Sequence, residues 1–161
     1  MLKESGADIR HGGGRAFYSP SGDYVQMPPR ECFTDEPHDY STALHELAHW
    51  TGAEHRLKRI NSAPCGSPEY AKEEIRADLS SLFLSAELGI PYDLKDQASY
   101  IQSWIKVLKD EKNEVFRAAA DASKACDHLH SLENRKVKST EPGPFTERET
   151  TAVQERQARS R

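Results

Sequence analysis

The sequence predicts an α+β fold, mainly helical, with a small N-terminal β-hairpin or sheet and a disordered polar C-terminal tail. Three observations predict it. Apolar residues recur at helical spacing in four segments between about residues 39 and 132. Two short segments near the N-terminus flank Pro20-Ser21-Gly22, which has the composition of a hairpin turn. Beyond Asn134 the chain is charged, rich in Ser and Thr, and interrupted by Pro142-Gly143-Pro144, with no apolar periodicity. With 161 residues there is room for one core, so residues 1–133 are read as a single domain and 134–161 as its tail.

The hairpin pairs residues 15–19 with 23–27, and Pro28-Pro29 ends the second strand because proline cannot donate to a ladder. That second strand, Tyr24 to Met27, is expected at the sheet edge, where an extended chain could pair with it. The preceding His11-Gly12-Gly13-Gly14 is followed by no Gly-Lys-Ser/Thr, so it reads as a flexible lead-in and not as a phosphate loop. The first helix is expected over 39–51, capped by Asp39 and ended by Gly52, with Tyr40, Ala43, Leu44, Leu47 and Thr51 on one side and His45 and His49 on the other. The second has Ser67 as cap, Pro68 at its first position and Gly89 as stop, with Ala71, Ile75, Leu79, Leu82 and Ala86 inside. Two more follow. Residues 97–108 align Ile101, Trp104, Ile105 and Leu108, and residues 111–132 align Val115, Phe116, Ala119, Ala122, Cys126 and Leu129.

Charge and cysteine content exclude several classes. The net charge is -4, and residues 131–161 hold seven Lys/Arg against five Asp/Glu, leaving 15 against 21 in the remainder. A mildly acidic domain lacks the broad basic face that binds nucleic acid. Cys32, Cys65 and Cys126 form no Cys-x-x-Cys pair, so neither a disulfide framework nor a cysteine metal site is implied, and a reducing cytoplasm fits best. No segment approaches the ~20 apolar residues that span a bilayer, and the N-terminus has no signal-peptide core, so no membrane partner is expected.

The chemistry lies in His45-Glu46-Leu47-Ala48-His49. Histidines four apart on a helix share a face and can present two nitrogens at ~2.1 Å to one Zn²⁺, while Glu46 is placed to take a proton from zinc-bound water as general base. Such a site is that of a zincin-type metallopeptidase acting on a protein or peptide. A catalytic zinc needs a third protein ligand, and two candidates compete. His55 completes His-Glu-x-x-His-x-x-Gly-x-x-His, but the methionine turn that accompanies that signature is missing, since Met1 and Met27 both lie upstream. On the second helix, Asp78 falls within the apolar stripe, Glu74 on its flank, and Glu73 on the opposite, solvent side. Burying two carboxylates is costly without a compensating cation. Zinc held by Glu74, with Asp78 bonded to the far nitrogen of a ligand histidine, compensates both. Glu74 is preferred and His55 is the alternative.

The chain resembles the metallopeptidase-like domain of ArdC-type antirestriction proteins and TraC-type plasmid primases. The resemblance rests on blocks in order across most of residues 7–129. They include Ala16-Phe17-Tyr18-Ser19-Pro20, His45-Glu46-Leu47-Ala48-His49-Trp50-Thr51-Gly52, Tyr70-Ala71-Lys72-Glu73-Glu74 and Tyr100-Ile101-Gln102-Ser103-Trp104-Ile105. It implies a zincin fold, a helix-borne glutamate as third ligand, which adds weight to Glu74, and a home on plasmids, phages or integrated elements. Full-length members carry an N-terminal single-stranded-DNA-binding domain, whereas this chain starts just before the peptidase block, so no DNA binding is expected of it alone. The rival expectation is a zinc-bearing or metal-free binding module that acts on DNA or a host partner without hydrolysis.

Overall fold

The computed structural model describes residues 1–60, 63–91 and 98–140, with 98–103 and 136–140 described as backbone alone. Within these described residues three strands, β1 (Asp8–His11), β2 (Phe17–Ser19) and β3 (Tyr24–Met27), precede a 3-10 turn at Arg30–Cys32 and four helices. The helices are α1 (Glu36–Thr51), α2 (Pro68–Leu88), α3 (Ala98–Asp110) and α4 (Glu114–Thr140).

The hairpin expected around Pro20-Ser21-Gly22 is present as β2 and β3, antiparallel with Tyr18 opposite Val25. Asp23 closes the turn at φ 50°, a left-handed conformation that Asp tolerates through its short polar side chain. Gly12, Gly13 and Gly14 form the irregular entry to β2, as expected, but a strand precedes them. The four residues before Gly12 form β1, which pairs in parallel with β3, Ile9 opposite Val25. The sheet order is therefore β1-β3-β2, and the strand expected at the edge is the central one. The signal was weak because β1 is largely exposed and offers no apolar alternation, whereas Val25 and Met27 of β3 are fully buried.

Helix α1 starts three residues before the expected Asp39. Asp35 is its cap, accepting the His38 backbone N–H at 2.8 Å, and Pro37 follows within the first turn. Asp39 lies inside the helix, buried and 3.4 Å from Arg30. Helix α2 begins and ends as expected: the Ser67 side chain accepts from Tyr70 N, and Gly89 closes it at φ 67°.

Helix α2 packs between α1 and α4, so its buried surface is broader than a single stripe. Ala77, Ser80, Ser81, Leu84 and Ser85 are buried, while Ala86, expected inside, is exposed. The small side chains let the helices approach closely, and the Ser81 hydroxyl donates to Ser41 O across the α1 contact at 2.8 Å. In α4, Val115 and Phe116 face outward because Glu114 turns in to meet Arg76 at 2.6 Å. In α3, Val107 is buried and Ile105 exposed; Ile101 and Tyr100 lie outside the described side chains. Helix α4 continues past Asn134, where the tail was expected to start, to Thr140. Arg135, Lys136 and Lys138 are good helix formers and no Pro or Gly intervenes before Pro142. The rest of the expected tail, 141–161, lies outside the described residues.

The main core joins the sheet to the bundle through Val25, Met27, Leu44, Leu47, Trp50, Leu84 and Leu129. Leu84 is wholly buried in it, and Leu84→Ala is expected to cost ~2–5 kcal/mol in denaturant unfolding. A loss below ~1 kcal/mol would mean that the three-helix contact is loosely packed. Among the described residues, no helix is long and apolar enough to cross a membrane.

Candidate metal centre

The apolar side of α1 is buried in the core, which turns His45 and His49 toward a cleft of about 780 Å³ between β2, α1 and α2. Their Nε2 atoms stand 3.2 Å apart. Glu74 reaches in from α2, one oxygen 3.5 Å from His45 Nε2 and the other 3.5 Å from His49 Nε2. Donor atoms from these three residues lie within 4.8 Å of one another, the one such group among the described residues. Tetrahedral donors about 2.1 Å from a common ion are themselves roughly 3.4 Å apart. The spacing therefore fits a divalent metal, and imidazole with carboxylate is a donor set that zinc accepts.

Each histidine also meets a carboxylate through its other nitrogen. His45 Nδ1 is 2.8 Å from Asp78 Oδ1, as the sequence suggested for one ligand histidine. His49 Nδ1 is 3.2 Å from Glu73 Oε1. Glu73 was expected to face solvent, and here the structure corrects the helical wheel. The loop after α1 folds back over α2 and brings Arg59 onto Glu73, so a helix flank that looks open in projection is covered.

Electrostatics match this packing. Burial alone would lower His45, but the Asp78 and Glu74 carboxylates outweigh it and raise the imidazole to about 10. Burial alone would raise Glu74, yet hydrogen bonding to His45, the nearby histidine charges and the Tyr70 hydroxyl hold it below the ordinary carboxylate value. A metal ion at these donors competes with protons, so its binding is expected to release protons and to strengthen as pH rises.

Glu46 is 8% exposed and lines the same cleft without joining the donor cluster. Burial, reinforced by the charge of Glu74, raises its carboxyl, against the opposing pull of His45, His49 and a hydrogen bond with the Tyr18 backbone. A buried carboxyl with a raised pKa is suited to exchanging protons near neutral pH.

His55 stands apart from the donor cluster. Its side chain is 62% exposed at the cleft rim, 3.2 Å from Asp23. Its neighbour Arg56 stacks on Trp50 at 3.8 Å and ion-pairs with Asp23, which also accepts from the Tyr18 hydroxyl at 2.9 Å. This group ties the β2–β3 turn to the end of α1. Hydrogen bonding from Arg56 is the main reason that Asp23 is lowered from 3.8 to about 2. A depressed carboxylate stabilises the fold above its unfolded pKa and loses that contribution as pH falls through the folded one. Wild-type protein is therefore expected to lose thermal stability relative to Asp23→Asn between about pH 4 and pH 2. Parallel melting curves would contradict the assignment.

Of the tyrosines considered as oxyanion donors, Tyr18 is committed to Asp23 and Arg56, and its hydroxyl is pushed up to about 12 by burial and by Asp23. Tyr24 lies on the sheet beneath Arg10, whose guanidinium is 4.0 Å from its ring. Tyr70 lines the cleft, its hydroxyl on Glu74.

Comparison with known proteins agrees with the geometry. The sequence model of the family described as zincin-like metallopeptidase matches residues 1–121. A DNA primase TraC of Escherichia coli is 51% identical over 138 residues, which cover 85% of this chain and 10% of that protein. Among solved structures, the antirestriction protein ArdC of plasmid R388 with Mn(II) bound matches at a TM-score of 0.75 and 41% identity, over 82% of this chain and 50% of ArdC. Its metal-free form matches at 0.74 and 40%, over 83% and 49%. The chain thus spans about half of ArdC and about a tenth of the TraC primase.

Proposed function

The chain belongs to the zincin-like metallopeptidase family, and from that premise we propose that it is a zinc-dependent peptidase of a mobile genetic element, of the antirestriction type, that cleaves protein or peptide bonds. The observation that carries this reading is the cluster of His45, His49 and Glu74 donors beside the buried Glu46 in one cleft. His45, His49 and Glu74 would hold the ion. When bound, zinc supplies Lewis acidity that polarises a carbonyl and acidifies water.

The protein's own groups do the rest. Glu46 accepts the proton of the attacking water on its carboxylate and passes it to the departing amine. Asp78 and Glu73 keep the two imidazoles oriented through their Nδ1 atoms. Among the described tyrosines, Tyr70, beside Glu74 in the cleft, is the candidate donor to developing negative charge. With β3 central, the extended substrate pairs not with Tyr24–Met27 but with β2, the edge strand that lines the cleft and carries the backbone contact to Glu46.

The decisive experiment loads purified protein with Zn²⁺ and incubates it with unfolded polypeptides, reading new termini by mass spectrometry. Cleavage that stops with chelator and returns with metal is expected; no cleavage by the fully loaded protein over a broad peptide set would overturn the reading.

A second reading is favoured by one observation: ArdC and TraC, two of the similar proteins, are named for antirestriction and priming and not for proteolysis. In it the chain is a metal-bearing binding module acting on DNA or a host protein. Protection from restriction that survives Glu46→Gln, with metal retained, selects that reading.

A further inference from the structure

The two carboxylates behind the histidines are held in different ways. Asp78 is 2% exposed and stands 2.8 Å from His45 Nδ1, and neither of its oxygens has a well-aligned hydrogen bond among the described residues. Glu73 is gripped by a guanidinium. Arg59 Nε lies 2.9 Å from Glu73 Oε2, and Arg59 Nη2 donates to Oε1 at 2.9 Å. The same group donates to Ala48 O at 2.8 Å and lies 3.3 Å from the Thr51 hydroxyl. One buried side chain therefore joins the last turn of α1, which carries His49, to the carboxylate of α2 that faces His49.

Arg59 reaches this place because the loop after α1 closes tightly. The backbone N–H groups of Arg59 and Ile60 both donate to Gly52 O at 2.8 Å. A Cβ on residue 52 would lie 2.8 Å from Ile60 Cγ1 and 3.1 Å from Arg59 Nη2. Gly52, which in sequence resembles part of a histidine-ligand signature, is the residue that lets the arginine in.

Resting on the reading that His45, His49 and Glu74 hold an ion, we propose that Arg59 is a positioning residue that sets metal affinity by fixing Glu73 against His49 Nδ1. A planar fork that engages both carboxylate oxygens fixes the plane of Glu73, and Glu73 in turn fixes the rotation of the imidazole that presents Nε2. Lysine would supply the charge without the fork.

The test is a titration of metal-free protein with Zn²⁺ against a chromophoric chelator, together with visible spectra of the Co²⁺-loaded form. Arg59→Gln is expected to weaken binding ~10–100-fold and to shift the Co²⁺ bands, with Arg59→Lys between it and wild type. Glu73→Gln should show a similar loss, and the double variant no greater loss than the larger single one, because both act through one contact. Arg56→Lys, which disturbs the same loop on its sheet side, should lower the melting temperature and leave affinity and spectrum unchanged. Wild-type affinity in Arg59→Gln, or additive losses in the double variant, overturns the proposal. If Arg59→Gln does not fold, wild-type affinity in both Arg59→Lys and Glu73→Gln overturns it instead. Failure of wild-type protein to bind any ion defeats the reading of the site itself, a different result from an affinity that ignores Arg59.

Discussion

Replacing Glu46 with Gln is expected to leave the ion bound and to slow peptide cleavage by about 10²–10⁴-fold, the usual contribution of a positioned general base. The separation of the two effects follows from the geometry. Glu46 lies outside the donor cluster formed by His45, His49 and Glu74, so its charge can be removed without emptying the site. Glutamine keeps the shape and retains an oxygen for the Tyr18 backbone, so the fold should survive. Most of the loss should appear in kcat, because the proton transfer occurs in the transition state and not on binding. Cleavage by Glu46→Gln at the wild-type rate would remove Glu46 from the chemistry.

Glu74→Ala is expected to weaken zinc binding by about 10²–10³-fold, whereas His55→Ala should leave it unchanged. Four-ligand zinc sites are worth about 10–16 kcal/mol, so each ligand carries roughly 3 kcal/mol or more, and each 1.4 kcal/mol is about tenfold. His55 is largely exposed and directed at Asp23. Competition with a chelator of known affinity measures both variants side by side. If only the His55 change empties the site, the ligand assignment fails.

The parts of this centre legible in the sequence were those set by local periodicity. The i, i+4 spacing of His45 and His49 opposite Leu44 and Leu47 predicts a helix with an apolar back and two histidines in a cleft, and α1 has that form. Asp78 was legible because a carboxylate inside an apolar stripe requires a partner, and His45 is that partner. Glu74 was legible for the same reason, as a flank residue one turn earlier.

What escaped depended on loops and on layer order. Glu73 looks solvent-facing on a wheel because the wheel contains only α2, while the cover comes from Arg59, fourteen residues upstream. Strand β1 escaped because its exposed residues carry no alternation, and without it β3 is taken for an edge strand. The inward turn of Glu114 escaped because its compensation, Arg76, lies on another helix. Glu73 and Glu114 are charged residues covered by partners on other segments, and burial of that kind leaves no periodic trace.

Whether the cleft hydrolyses peptide bonds can be read from terminal-peptide proteomics of cells producing either wild-type protein or Glu46→Gln at equal levels. A set of new protein N-termini, present with wild type and missing with the variant, is expected. Identical sets of termini, with metal bound in both proteins, would contradict it.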